Sequence, residues 1–263
     1  MESPSRLRET FEQAAHMYHE ARPGYPEKLF DDLVELSGIP AGGRILEVGC
    51  GSGVATLPLA RRGYAIHCIE LGEQLAAVGR ENLATYPGVS IEVGAFEETP
   101  VEPAAYDLAI SATAWHWIAQ PVGYGKVAQA LKPGGALAIW RHEHVWSAAG
   151  GDFWVDVQAI YERWMPGTEP GLRLTRPDDF PGEAAAIDAS GLFGPVTLRR
   201  YVWDIEYDAE SYLRLLSTYS GHIDLAEPNR THLFQGIADL INGPYGGRIV
   251  KGYMSILHVA RRV

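Results

Sequence analysis

The sequence is poor in cysteine, in clustered basic residues and in long apolar runs, and each shortage excludes a class of protein. Two cysteines in 263 residues cannot form a disulfide framework, and neither stands in a metal-binding spacing. Acidic residues outnumber basic ones by 33 to 22, and no basic stretch is long enough to follow a nucleic-acid backbone. No apolar run approaches the roughly 18 residues of a membrane span, and residues 1–13 are polar where a signal peptide is apolar. We therefore expect a cytoplasmic protein that binds neither nucleic acid nor membrane.

What the sequence does contain is an alternation of short β-rich runs and helical stretches between residues 44 and 140. The strand-like runs are RILEV, AIHCIE, VSIEV, YDLAISA and GALAIW. This alternation is typical of βαβ units, whose parallel strands form a sheet covered by helices on both faces. The sequence therefore predicts an α/β fold with a doubly wound, mostly parallel sheet.

The flanking segments have helical patterns that predict a lid or cap on this core. Helices are expected over residues 8–21, 27–37, 152–164, 209–218 and 228–241, and strands over 195–206 and within RIVKGYMSILHVARR. We accordingly divide the chain into an N-terminal helical lid at 1–40, the core at 41–140, a helical cap insertion and loop at 141–194, and C-terminal strands and helices at 195–263.

The stretch ILEVGCGSG places three glycines on alternate positions directly after the first strand. A strand that ends in such a loop and opens a helix lets the backbone approach a ligand closely and directs N–H groups at it. The dinucleotide fingerprint is G-x-G-x-x-G. Here the glycines are Gly49, Gly51 and Gly53, with Val54 where that pattern needs its third glycine. The spacing therefore counts against NAD as the ligand.

Two carboxylates narrow the choice of ligand. Glu47, two residues before the first glycine, would repel a pyrophosphate and attract an ammonium or sulfonium group. Glu70 ends the second strand, where an acidic side chain can accept hydrogen bonds from both hydroxyls of a ribose. A nucleoside with a cationic amino-acid tail matches both carboxylates. S-adenosylmethionine (SAM) is such a molecule.

The motif E-x-G-x-G-x-G at residues 47–53, the acid at 70 and LKPGG before the fifth strand resemble class I, Rossmann-like SAM-dependent methyltransferases. The stretches FEQAAHMYHEARPGYP and ATAWHW resemble the small-molecule branch related to ubiquinone and trans-aconitate methyltransferases. The resemblance implies a seven-stranded sheet, SAM as methyl donor and S-adenosylhomocysteine (SAH) as its product. It also implies transfer of the methyl group to a nitrogen or oxygen of a small metabolite. We predict no metal ion.

The resemblance further implies which residues bind the cofactor. Glu47 and the glycine loop would hold the methionine end, Glu70 the ribose, and Leu71 would lie under the adenine. Arg22 is suited to the methionine carboxylate, because a guanidinium can bind a carboxylate through two hydrogen bonds. Gly94 is a departure, since many relatives have an aspartate there, so recognition of the adenine amine could fall to backbone or to Glu97. The implied cofactor contacts are Tyr18, Arg22, Glu47, Gly49, Cys50, Gly51, Gly53, Glu70, Leu71, Ala95, Phe96, Ser111 and Ala112.

Candidates for catalysis lie after the fourth strand and on the N-terminal helix. His116 could act as a base or orient the acceptor, and Tyr18 resembles a tyrosine that closes over the cofactor. His142 and His144 would share one face of an extended segment, but two histidines without a third ligand are a weak metal signal. The candidates for the substrate pocket are His16, His19, Trp115, Trp117 and His142.

Two other functions stay open at this point. One is a SAM-binding protein without catalytic activity, because cofactor motifs do not prove turnover. The other is an NAD-dependent oxidoreductase, which the glycine spacing and Glu47 disfavour. The acceptor also decides whether a general base is needed, since a neutral amine can attack unaided whereas a hydroxyl gains from losing its proton. The sequence identifies neither the acceptor nor the oligomeric state.

Overall fold

The computed structural model describes residues 19–120, 122–182 and 184–263. Its strands are β1 Arg44–Val48, β2 Ala65–Glu70, β3 Val89–Val93, β4 Tyr106–Ala112, β5 Leu131–Trp140, β6 His142–Val145, β7 Thr197–Tyr207 and β8 Ile249–Arg261. Its α-helices are α1 Glu27–Ser37, α2 Thr56–Arg61, α3 Glu73–Asn82, α4 Val122–Ala130, α5 Phe153–Asp156, α6 Gln158–Trp164, α7 Ala184–Ala189, α8 Ala209–Leu216, α9 Ser220–Ile223 and α10 Asn229–Asn242. Short 3₁₀ turns lie at Trp115–Trp117, Ala148–Gly150 and Pro177–Asp179.

The strands form one sheet with the doubly wound topology that the sequence predicts. β3, β2, β1, β4 and β5 are parallel and hydrogen-bonded in that order. β8 runs antiparallel to β5 and to β6, and β6 continues β5 along the same strand. β7 pairs with β8 along its whole length. If β5 and β6 are counted as one strand, the sheet has the seven strands that were predicted. The mostly parallel α/β fold is thereby confirmed.

Burial explains which strands occupy the middle of the sheet. β1 and β4 are buried almost throughout, so both of their faces need apolar cover. One face packs on α1 and α2, and the other packs on α4. At the carboxyl end of the sheet, β1 has β2 on one side and β4 on the other, and the chain connections diverge between them. Ligands of open α/β sheets bind at such a switch point.

A further apolar cluster, which we call the cap, joins α5 and α6 to α8, α10 and the adjoining ends of β7 and β8. Phe153, Leu233 and Ile237 are fully buried within it. The helical stretch predicted over 152–164 is present as two short helices, α5 and α6. The cap combines residues from the third and fourth of the predicted parts of the chain, whose boundaries stay a prediction.

Most other predicted elements are present, with differences at the ends. The helix predicted over 27–37 is α1, and the last predicted strand is β8. Most of the helix predicted over 8–21 lies outside the described residues. The sequence did not predict β6, α7 or α9, which have only four to six residues each and therefore show little periodicity. Within the described ranges, no helix is both long and apolar enough to cross a bilayer.

Candidate functional site

A cavity of about 440 Å³, here called the first cavity, lies at the carboxyl ends of β1, β2 and β4. Ten predicted cofactor contacts line it, namely Arg22, Glu47, Gly49, Cys50, Gly51, Glu70, Leu71, Ala95, Phe96 and Ala112. Trp117 and His142, predicted for the substrate pocket, line it too. The structure therefore brings together residues that are up to 120 positions apart in the sequence, from Arg22 to His142.

The three loop glycines adopt left-handed backbone conformations that other residues avoid, with φ of 73° at Gly49, 55° at Gly51 and 86° at Gly53. Their surroundings differ. A Cβ atom on Gly49 would collide with Ala114, and one on Gly53 would lie 2.8 Å from Leu83 Cδ1. A Cβ atom on Gly51 would meet no protein atom within 4 Å. Gly51 is thus the loop glycine whose missing side chain leaves the cavity open.

Glu47 is fully buried where β1 ends against the first cavity. Its Oε2 accepts a hydrogen bond from the Cys68 thiol at 3.8 Å, and its Oε1 has no hydrogen-bond partner among the described residues. Burial raises the pKa of Glu47 to about 7, although the Thr56 hydroxyl and the Cys68 thiol act to lower it. A buried carboxylate with an unpaired oxygen is costly by itself. The site is therefore suited to a cationic ligand.

Glu70 connects the glycine loop to the start of α3. Its Oε2 accepts the N–H of Gly51 at 2.7 Å, and its Oε1 accepts the N–H of Gly72 at 2.9 Å. Each carboxylate oxygen can accept a second hydrogen bond, so the side chain can still bind ribose hydroxyls. Glu70, predicted to bind the ribose, therefore also fixes the backbone of the glycine loop.

Comparisons with known proteins agree with this geometry. Residues 45–135 match the family model of the methyltransferase domain. An uncharacterized methyltransferase of Mycobacterium bovis is 31% identical over 133 residues, which are 50% of this chain and 52% of that protein. The ubiquinone biosynthesis O-methyltransferase of Acinetobacter baumannii is 34% identical over 108 residues, 38% of this chain and 44% of that protein. The chain spans about half the length of the curated relatives it matches.

Solved structures share the whole fold. A candidate type II methyltransferase of Anaeromyxobacter dehalogenans superimposes with a TM-score of 0.63 at 24% identity, covering 91% of this chain and 97% of that one. The phosphoethanolamine N-methyltransferase 2 of Haemonchus contortus, solved with phosphomonomethylethanolamine and SAH, gives a TM-score of 0.54 at 16% identity, covering 95% of this chain and 57% of that one. The chain therefore has the fold of these methyltransferase structures. The predicted resemblance is thereby confirmed.

In this methyltransferase domain, the loop after β3 explains the unusual Gly94. A Cβ atom at that position would collide with the hydroxyl of Thr99, which donates to the Ala95 carbonyl at 2.9 Å. An aspartate therefore has no room here. Glu97 lines the first cavity, but its Oε1 accepts the N–H of Ala119 at 2.9 Å. The carboxylate thus also holds the loop after β4 in place.

Two residues that the sequence did not point to also line the first cavity. Thr113, just after β4, has φ of 58°, which is strained for a β-branched residue. Its hydroxyl lies 2.8 Å from the Tyr25 hydroxyl and accepts the N–H of His142 at 3.3 Å. The Tyr25 ring stacks on His142 with centroids 4.2 Å apart. A strained residue at the end of a strand is a feature of functional sites, but only the structure reveals it.

Two predicted cofactor contacts do not line the first cavity. Ser111 is fully buried inside the sheet, where its Oγ donates to the Val48 carbonyl at 2.9 Å. Its side chain points across to β1, so the structure does not place it at the cavity where its implied cofactor contact would lie. Gly53 is turned toward Leu83, so it allows the loop to pack on the end of α3.

The three side chains of the turn Trp115–Trp117 point in three different directions. Trp115 is buried against Tyr124, with ring centroids 5.1 Å apart, and belongs to the core. His116 is exposed, with its ring 4.7 Å from that of Trp117, and lines neither cavity. The structure thus places Trp115 in the core and His116 on the surface, so Trp115 in the substrate pocket and His116 as a base gain no support from the described residues and stay predictions. Trp117 alone of the three lines the first cavity.

Of the site residues predicted on the N-terminal helix, His19 lies in the described part of the chain. His19 packs on the outside of the glycine loop, where its Nδ1 accepts the Asn82 amide at 3.2 Å and lies 3.1 Å from Ser52 Oγ. It lines neither cavity, so its assignment to the substrate pocket gains no support from the described residues and stays a prediction. His16 and Tyr18 lie outside the described residues.

A second cavity of about 480 Å³ lies between β6, β8 and the cap. Arg22, Pro23 and His142 line both cavities, so the two adjoin at these residues. Aromatic rings from three segments line the rest of the second cavity, namely Trp154, Tyr161, Tyr212, Tyr219 and Tyr253. Across the described residues, no group of three or more His, Cys, Asp and Glu side chains is arranged to hold a metal ion.

We expect the replacement Glu70→Ala to weaken SAM binding more than tenfold, because it removes a ribose acceptor and two acceptors of loop N–H groups. It should also lower the free energy of unfolding by about 2 kcal/mol, since hydrogen bonds to charged groups are worth about 1.5–3 kcal/mol. Calorimetric titration and urea unfolding measure the two effects. An unchanged SAM affinity would remove Glu70 from the site.

Proposed function

We propose that the chain is an enzyme that transfers the methyl group of SAM to a nitrogen or oxygen of a small-molecule metabolite. The observation that carries the proposal is Glu47, a fully buried carboxylate with an unpaired oxygen at the wall of the first cavity. Such a group needs a positive partner, and the ammonium of an amino-acid tail supplies one. A dinucleotide such as NAD would place phosphate charge there instead, which Glu47 would repel.

The residues present fit this cofactor. Glu47 and the backbone at Gly51 would hold the amino-acid end, and Glu70 would hold the ribose. Leu71 and Phe96 supply apolar surface for the adenine at the same wall. When bound, SAM supplies an electrophilic methyl group on a sulfonium.

The second cavity supports a small-molecule acceptor. It adjoins the first cavity and is bounded on one side by the cap. Burial lowers the pKa of His142, at the junction, to about 4. Its Nε2 donates to the Pro23 carbonyl at 3.1 Å, and its Nδ1 lies 3.4 Å from Ser255 Oγ. His142 is therefore neutral at pH 7 and is suited to orienting the acceptor, whose alignment is the main requirement of methyl transfer.

The test is release of SAH from SAM with a panel of small amines, phenols, sugar alcohols and carboxylates, with labelled methyl followed into the product. We expect turnover with one chemical class, and the site of the label then names the attacking atom. SAM binding without label in any product would favour the non-catalytic SAM-binding protein. The matched control is Glu102→Gln, which changes an exposed carboxylate outside both cavities.

A reducing compartment such as the cytoplasm is part of the proposal. Cys50 and Cys68 are both free and buried, and the neighbouring Cys68 thiol together with burial raises the pKa of Cys50 well above its ordinary value. A thiol at the wall of the cofactor cavity must stay reduced if the cavity is to keep its shape.

His116→Ala is expected to leave SAM affinity and turnover within about twofold of the wild type, because the imidazole is exposed and lines neither cavity. The check is kcat and KM across pH 6 to 9 with whichever acceptor the panel identifies. A large fall in kcat with unchanged SAM affinity would restore His116 as a base.

A further inference from the structure

Lys251 is a buried lysine in the middle of β8, and its ammonium faces the second cavity. The Nζ atom lies 5.7, 5.4 and 5.2 Å from the ring centroids of Trp154, Tyr219 and Tyr253. It donates one hydrogen bond, to the Tyr219 hydroxyl at 3.3 Å. Within the described ranges, no carboxylate lies within ion-pair distance of it. Aromatic faces compensate a buried ammonium only in part, and two of its three N–H donors remain for a ligand.

The neighbouring groups add to the positive potential of the second cavity. The Arg22 guanidinium lies over the Tyr219 ring, 4.2 Å from its centroid, and donates to Thr218. Burial acts to raise the pKa of Tyr219, but Lys251 and Arg22 outweigh it, so the pKa lies below its ordinary value. Two cations therefore act on one phenol.

The other titratable groups of the second cavity do not cancel this charge. Burial lowers the pKa values of His144 and His222, to about 4 for His222, and Lys251 lowers both further, so both imidazoles are neutral at pH 7. Of the two acids at the wall, Glu143 forms an ion pair with Arg141, and Glu169 is exposed.

A second polar group in the same cavity has no partner. The Nε2 atom of His144 is buried and makes no hydrogen bond to any described residue. Its ring meets that of Trp154 edge to face, with centroids 4.2 Å apart, so the imidazole is held in place. Buried polar atoms in native proteins are nearly always paired. The unpaired Nε2 of His144 and the two N–H donors that the Lys251 ammonium keeps for a ligand therefore point to a polar ligand.

We propose that the methyl acceptor carries a negatively charged group, a carboxylate or a phosphate ester, and that the ammonium of Lys251 binds it in the second cavity. The proposal rests on the proposed function, because it concerns the acceptor of that reaction. The aromatic walls bind the apolar body of the acceptor, and the junction at Arg22 and His142 admits its reacting atom to the first cavity.

The test measures binding of matched acids and amides to protein saturated with SAH, so that the first cavity is filled and only the second is open. The probes are benzoate, 4-hydroxybenzoate and phenyl phosphate, compared with benzamide, 4-hydroxybenzamide and phenol. Ligand-observed NMR at millimolar concentration gives the affinities. We expect at least one acid to bind about tenfold more tightly than its neutral match, since the neutral group leaves the buried ammonium unpaired.

The variants distinguish a specific role of Lys251 in binding acids from a general effect of the charge of the protein. Lys251→Met should abolish the preference for acids, Lys251→Arg should keep it, and Lys28→Met, on the exposed face of α1, should not change it. A ligand role also predicts that Lys251→Met melts at the same temperature as the wild type or higher, because a buried charge that the protein compensates only in part is removed. A purely structural role predicts a lower melting temperature.

Equal binding of acids and amides to the wild type, or no binding of any acid, would overturn the proposal without recourse to a variant. Tight binding of acids to Lys251→Met would do the same. SAH affinity is measured in the same samples. If SAH fails to bind, the proposed function fails, whereas acid binding that depends on Lys251 would still stand.

Discussion

Gly51→Val is expected to reduce the affinity for SAM and SAH by about a hundredfold or more while the protein remains folded. Gly51 lines the first cavity, and a side chain there would meet no protein atom within 4 Å, so the valine occupies space left for the ligand. The φ of 55° adds strain of about 1–3 kcal/mol to the folded state. Calorimetric titration with SAH and urea unfolding report the two effects separately.

The matched control is Gly63→Val, in the turn between α2 and β2. Gly63 has φ of 83°, and a Cβ atom on it would also meet no protein atom within 4 Å, but it lines neither cavity. The control should therefore show similar strain and unchanged SAH affinity. Wild-type affinity in Gly51→Val would show that the glycine loop is not the cofactor site.

Glu47→Gln is expected to make the protein more stable and the cofactor site weaker. One pKa unit corresponds to about 1.4 kcal/mol. A pKa of Glu47 raised from 4.5 to about 7 therefore lowers the free energy of unfolding of the wild type by about 3 kcal/mol when the pH is above 7. The neutral amide removes that cost. It also removes the carboxylate that would bind the ammonium, which should lower SAM affinity by about a hundredfold.

The pH dependence follows from the raised pKa of Glu47. Between pH 4.5 and 7 the folded state holds a proton that the unfolded state has lost, so stability falls as pH rises through this range and then levels off. In Glu47→Gln this fall should be absent. SAM binding should strengthen from pH 5 to 7, because the ammonium favours the ionised carboxylate.

Proton release gives an independent check on Glu47. Calorimetric titrations with SAM at pH 6, in two buffers of different ionisation enthalpy, should show release of close to one proton by the wild type and of none by Glu47→Gln. Glu102→Gln should behave as the wild type. Equal proton release by all three proteins would exclude Glu47 as the partner of the ammonium.

The residues that line the first cavity could be predicted because the sequence patterns that mark them are local. Glu47, Gly51 and Glu70 each stand at a fixed distance from a strand end, and the carboxyl ends of parallel strands meet at one edge of the sheet. The predictions that the described residues do not support relied on closeness in sequence. Trp115, His116 and Trp117 are consecutive, but a 3₁₀ turn rotates successive side chains by about 120°, so only one reaches the cavity.

The second cavity could not be predicted, because its walls come from segments far apart in the chain. His142, Trp154, Tyr219 and Lys251 approach one another only after β8 inserts beside β5 and the cap packs on it. Lys251 nevertheless could have been recognised as unusual from the sequence. It is the only Lys, Arg, Asp or Glu between Ile249 and Ala260, and buried lysines are rare unless they have a partner.

The central claim is that the glycine loop binds SAM, and calorimetric titration of the protein with SAM tests it most directly. The account predicts binding of one SAM per chain, competition by SAH, no binding of NAD, and loss of SAM binding in Gly51→Val but not in Gly63→Val. Absence of SAM binding to the wild type, or binding of NAD in its place, would contradict it.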